Sequence, residues 1–272
     1  MSSLPLYKQI IICVIFLCTT GACLLPLLEA MRQRRETAVP PVPQFPGSSF
    51  PNAFAYIYTA FFMLTFAMSA IQDIMAPAAV ASPMEMLLSG VVQIGLYMPF
   101  IIVYFSLPRR EQPQSSLILK VWWVVKALFF IWIASALIEL SQVNRLISHL
   151  TQCPPLQNVV QLMMEGSSFE KGYVAIMAVF IAPVTEECCF RGFVYNILKR
   201  WNGRWIATLT SALLFAAVHG SLLQLIPLTI FGVVQCLAYE KARSLWLPVA
   251  IHTVFNACST LLILLFPELI PV

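Results

Sequence analysis

The chain has 272 residues, of which 60% are hydrophobic and only 10% charged, with a net charge of +4 and a mean hydropathy of +0.83. A soluble domain carries about 25% charged residues, so this composition excludes an ordinary soluble enzyme. The charge is too small and too scattered to call for a nucleic-acid partner. The apolar residues fall in repeated blocks, which predicts an all-α polytopic membrane bundle embedded in a lipid bilayer.

In chain order, the first apolar run covers about Ile10 to Leu28 and is followed by Arg32, Arg34 and Arg35. Only Lys8 precedes it, and no small-x-small cleavage site follows, so it reads as a membrane span rather than a signal peptide. A Pro-rich linker occupies 40–51. Further spans are predicted at about Ala53 to Ile74, Met84 to Leu107 and Val121 to Leu140, each near the roughly 20 residues needed to cross the hydrocarbon core. A polar connecting segment, 142–171, leads to four more: Gly172 to Leu198, Trp205 to His219, Leu222 to Tyr239 and Leu245 to Phe266. That gives about eight spans, divided into an N-terminal half (1–171) and a C-terminal half (172–272) of one structural unit.

With the amino terminus outside, the inside segments carry Arg32/Arg34/Arg35, Arg109/Arg110/Lys120, Lys199/Arg200/Arg204 and Lys241/Arg243. The outside segments carry only Lys8, Arg145 and Lys171. This sorting follows the positive-inside rule and fixes the expected orientation. Of eight cysteines, seven lie in predicted spans and none has zinc-like spacing, so they read as small packing residues.

The chemistry is concentrated in the second half. Glu186, Glu187 and Arg191 interrupt an otherwise apolar span just after Pro183, and a charge at membrane depth costs about 2.5–3.5 kcal/mol on insertion scales. Adjacent helical residues point about 100° apart, so the two carboxylates cannot share a role. Glu187 and Arg191, four apart, can pair, which leaves Glu186 facing a different neighbour and suited to general-base work on a water. Two later spans each bring one histidine, His219 and His252, and Asn256 lies four residues after His252 on the same face. Together these groups make a water-activating and oxyanion-stabilising site.

Glu186-Glu187-Cys188-Cys189-Phe190-Arg191, then Phe215 to His219, then His252 to Asn256, resembles the motif set of the CAAX protease and bacteriocin-processing family of intramembrane proteases. That family includes CAAX prenyl endopeptidases and the bacterial Abi proteins. Tyr239-Glu240 and Ser244-Leu245-Trp246 add to the likeness, which covers about Gly172 to Leu262. The resemblance implies an endopeptidase built as an all-helical bundle around a water-filled cavity. Glu186 with His219 would activate the attacking water, His252 and Asn256 would stabilise the oxyanion, and Glu187 and Arg191 would support the site. Many members carry Gly-x-x-x-Gly where this chain has Gly232 and Cys236.

Family members cleave prenylated carboxyl-terminal peptides, leader peptides or other membrane-bound chains, so the expected partner is a membrane-associated peptide or protein, prenylated or not. The expected location is a multi-pass position in a bacterial inner membrane or the eukaryotic endoplasmic reticulum. No cofactor is favoured. If zinc is used, Glu186, His219 and His252 are its ligands, but the chain lacks the His-Glu-x-x-His arrangement that sets two ligands and a base on one helix. Two readings from other classes stand beside the enzyme: a non-proteolytic immunity or scaffold protein of the membrane, and a proton-coupled transporter.

Overall fold

The computed structural model describes helical residues scattered between 84 and 101, then 117–151, 158–242 and 244–269. The expected spans at 10–28 and 53–74 and the Pro-rich linker lie outside the described residues, and the span at 84–107 is described only in part. All regular structure among the described residues is helical: α1 Leu117–Leu140, α2 Val143–Thr151, α3 Asn158–Glu165, α4 Ser168–Ile176, α5 Ala182–Glu187, α6 Tyr195–Val218, α7 Leu225–Ala242 and α8 Trp246–Leu265.

Among these residues four helical stretches are long and apolar enough to cross a membrane: Val121–Leu140, Ser168–Lys199, Leu225–Ala242 and Trp246–Leu265. Their outward faces confirm the solvent they are made for. Phe129 and Phe130 on α1 are 67% and 56% exposed, and Leu261 and Leu265 on α8 are likewise open. Such a surface is stable against lipid and not against water, so the protein is an integral membrane protein.

The run Trp205 to His219 is not among these four stretches. That run is the far part of α6, which breaks at Gly203 (φ 75°, ψ 174°), a left-handed conformation that glycine adopts without steric cost. The break thus makes Trp205 to His219 a helix distinct from the preceding one, as its sequence suggests, though shorter than the four stretches above. The connecting segment 142–171 also contains more structure than a loop, namely α2, α3 and the start of α4. Ser167 caps α4 through a reciprocal box with Glu170: the Ser167 side chain accepts from the Glu170 amide, and the Glu170 carboxylate accepts from the Ser167 amide.

The Ser168–Lys199 rod is not a uniform α-helix. Two wider π-helical segments, Met177–Ile181 and Cys188–Val194, flank α5, which carries Pro183 in its first turn. Proline has no N–H to give to the preceding turn, and π-type turns are a frequent way for a helix to absorb such a defect near a functional site. The second π segment leaves carbonyls in need of donors. Asn196 Nδ2 supplies them, lying 2.9 Å from Arg191 O, Gly192 O and Tyr239 Oη.

α6 and α7 pack closely, with Gly232 set directly against Ala212. A Cβ at 232 would lie 2.8 Å from Ala212 Cα, closer than real side chains come. The crossing is therefore close, with Cys236 fully buried one turn further on. Gly232→Ala is expected to force the two helices apart and lower stability by about 1–3 kcal/mol. A thermal unfolding midpoint unchanged from wild type would contradict this packing.

Candidate active site

The site is assembled from the rod, the end of α6 and the facing sides of α7 and α8. Its anchor is Glu187, which is fully buried and whose Oε1 accepts three hydrogen bonds. The donors are Arg191 Nη1 at 3.1 Å, Gln235 Nε2 at 3.1 Å and His252 Nδ1 at 2.9 Å. They come from the rod itself, from α7 and from α8, so one carboxylate oxygen joins three parts of the bundle. Arg191, also fully buried, extends the junction: its Nη2 donates to Gly232 O at 3.2 Å, and its guanidinium lies 4.6 Å from the Phe215 ring centroid. The ion pair with Glu187 is thus part of a wider network, which is the condition under which a buried charge pair is tolerated.

Glu186 is placed differently. One turn position away, it makes none of these bonds, and its buried Oε2 has no hydrogen-bond partner. Oε2 lies 3.9 Å from His252 Nε2, too far for a direct hydrogen bond but close enough for a single small group to touch both. The two adjacent carboxylates therefore have separate surroundings: Glu187 has three donors on Oε1 and a bare buried Oε2, whereas the buried Oε2 of Glu186 faces only the imidazole.

The two histidines are fixed in a similar way. A carboxylate oxygen and a backbone carbonyl can only accept. His252 Nδ1 beside Glu187 and His219 Nδ1, 2.7 Å from Phe215 O, must therefore each carry a proton. In the neutral ring, the Nε2 atom of each is then left as an acceptor. His219 sits at the carboxyl end of α6, just before Gly220 (φ 66°) turns the chain away. Both imidazoles pack against one phenyl ring, His219 at 4.7 Å and His252 at 6.0 Å from Phe215, and Phe231 closes on His252 at 4.9 Å.

Asn256 lies one turn beyond His252 on α8. Its Nδ2 donates to Ala178 O, 2.7 Å away in the first π segment. One of its two amide hydrogens is thus used to tie α8 to the rod, and among the described residues the other has no partner. His252 lies between Glu187 and Glu186 rather than beside Asn256 alone, a position that the i,i+4 spacing did not predict.

Two contributors were missed from the sequence. Gln235 is fully buried in the apolar run Leu222 to Tyr239. A glutamine at that depth needs partners, and this cost was the signal available. Tyr97, from the N-terminal half, is buried in the same cluster as Cys189 and Phe190 and is close enough to Glu186 for the two to interact electrostatically. Nothing in its local sequence marks it. Among the described residues, no three His, Cys, Asp or Glu side chains converge as a metal-binding group. The Nδ1–H bond to Glu187 leaves His252 Nε2 free on the side of Glu186, the arrangement that also orients metal-binding imidazoles.

Residues 169–258 match the Rce1-like family of type II CAAX prenyl endopeptidases. This Rce1-like segment contains Glu186, Glu187, Arg191, Phe215, His219, His252 and Asn256, the residues just described. Among curated proteins, the chain is 27% identical over 81 residues to the Bacillus subtilis (strain 168) protein named "Putative membrane peptidase YdiL", covering 30% of this chain and 33% of that one. It is 30% identical over 105 residues to an "Uncharacterized 24.3 kDa protein" of Escherichia coli, covering 36% of this chain and 48% of that one. The chain therefore spans between a third and a half of the length of these relatives. No solved structure matches it.

Proposed function

We propose that the protein is an intramembrane endopeptidase that hydrolyses a peptide bond in a membrane-associated chain. The observation that carries this reading is the unequal pair of carboxylates. Glu187 is held by three donors on Oε1 although its Oε2 is bare, whereas the bare Oε2 of Glu186 faces an imidazole nitrogen 3.9 Å away. An open carboxylate in an apolar bundle is costly to keep and suited to removing a proton from water.

In this mechanism a water held between Glu186 and His219 attacks the scissile carbonyl carbon, and Glu186 takes one of its protons. The C–O bond forms as the carbonyl oxygen gains the electron pair. The remaining amide hydrogen of Asn256, together with His252 when its Nε2 is protonated, faces the developing oxyanion. As the C–N bond breaks, the proton held by Glu186 passes to the leaving amine, which restores the carboxylate. No step is assigned to a metal.

The test is turnover of a panel of peptides by the full chain in lipid nanodiscs. The panel would include prenylated and unprenylated carboxyl-terminal sequences and membrane-spanning leader peptides. Cleavage of at least one class, lost in His219→Ala and unaffected by 1,10-phenanthroline, is expected. No cleavage of any class would overturn the reading in favour of a scaffold role, and loss of cleavage with the chelator would overturn the metal-free step.

A further inference from the structure

Gln235 has no part in the three sequence motifs, yet it is the side chain that joins the Glu187 junction to the backbone of α8. Its Nε2 donates to Glu187 Oε1 at 3.1 Å and to Pro248 O at 3.0 Å. Both partners can only accept, so the amide orientation is forced: a flip would set Oε1 against two acceptors. Both hydrogens of the amide are used, and Oε1 is left buried without a partner. A fully buried polar group left half-satisfied is costly, so the two bonds it makes have a strong hold on its position.

Pro248 lies four residues before His252, so its carbonyl is the one that faces the His252 amide across a helical turn. Gln235 thus grips α8 one turn from the histidine while gripping the carboxylate that orients that histidine's ring. Without it, the 2.9 Å bond from His252 Nδ1 to Glu187 would be left to set the ring position with only the packing of Phe215 and Phe231.

We propose that Gln235 is a positioning residue for His252, acting through Glu187 and the Pro248 carbonyl. This rests on the peptidase reading for its kinetic consequence but not for its structural one. A misplacement of about 1 Å at a reacting group can cost about 10²-fold in rate.

The experiment uses Gln235→Met, which keeps the length and removes both donors, and Gln235→Asn, which keeps the amide but is too short to reach both acceptors. Two readouts are taken on the full chain in nanodiscs: kcat and KM for a cleaved peptide, and the Nδ1–H resonance of ¹⁵N-labelled His252. In wild type that proton is expected to resonate far downfield, because it is bonded to a carboxylate. Expected in Gln235→Met is a 10- to 100-fold loss in kcat with KM within about twofold, and an upfield shift or exchange loss of the His252 signal. Gln235→Asn should show the same pattern to a smaller degree, and it carries the test if Gln235→Met does not fold. An unchanged His252 resonance in a folded variant would overturn the proposal, as would a fall in affinity with kcat intact. If wild type cleaves no peptide, the peptidase reading fails and the resonance alone decides the role of Gln235.

Discussion

Glu186→Gln is expected to reduce peptide turnover by about 10³-fold, within the range of about 10²–10⁴ for loss of a general base, while leaving the unfolding midpoint unchanged. The two parts of this result have separate causes. Glutamine has the shape of glutamate but cannot take a proton from water, so the chemical step is lost. Glu186 makes no hydrogen bond through its buried Oε2 and is not in the Glu187 junction, so the fold loses little. The amide should even relieve the cost of an open carboxylate at membrane depth. Paired measurement of kcat and thermal midpoint in nanodiscs checks it. Retained turnover would remove Glu186 from the chemistry, and a collapse in stability would make it a structural residue like its neighbour.

Arg191→Met should give the opposite pattern, with a large loss of stability of about 3–5 kcal/mol, because removing one partner of a buried pair leaves the other charge uncompensated. Arg191 Nη1 and Nη2 serve Glu187 and Gly232 O, and the guanidinium faces Phe215. All three contacts go at once. Adding Glu187→Gln removes the stranded charge, so the double variant is expected to be more stable than Arg191→Met alone, with a coupling of about 1–3 kcal/mol. Denaturation of the two single variants and the double variant measures this directly. Additive losses would mean that Glu187 and Arg191 do not act as a pair despite their 3.1 Å separation.

Much of this arrangement was legible in the sequence because charges in lipid are too costly to be incidental. The i,i+4 spacing of Glu187 and Arg191 implied a pair, and the structure contains it. The same spacing logic put His252 and Asn256 on one face. It could not show that Asn256 would reach Ala178 or that His252 would settle between two carboxylates, because both depend on how α8 leans on the rod. The π segments were hidden for a related reason. Pro183 announced a defect in the helix but not its form, and Asn196, which satisfies the freed carbonyls, looked like an ordinary polar interruption. Gln235 was passed over because a neutral side chain disturbs a hydropathy pattern far less than a charge does. The count of eight spans rested on apolar length and on the sorting of basic residues, and the break at Gly203 falls in the expected gap between the runs 172–198 and 205–219.

The central claim is that Glu186 and His252, 66 positions apart in sequence and 3.9 Å apart in space, belong to one reacting unit. A double-mutant cycle on kcat with Glu186→Gln, His252→Ala and the two combined tests it most directly, because groups that act as a unit give strongly non-additive losses. The double variant is predicted to lose no more activity than the worse of the two single variants. Losses that multiply, or full activity in either single variant, would contradict it.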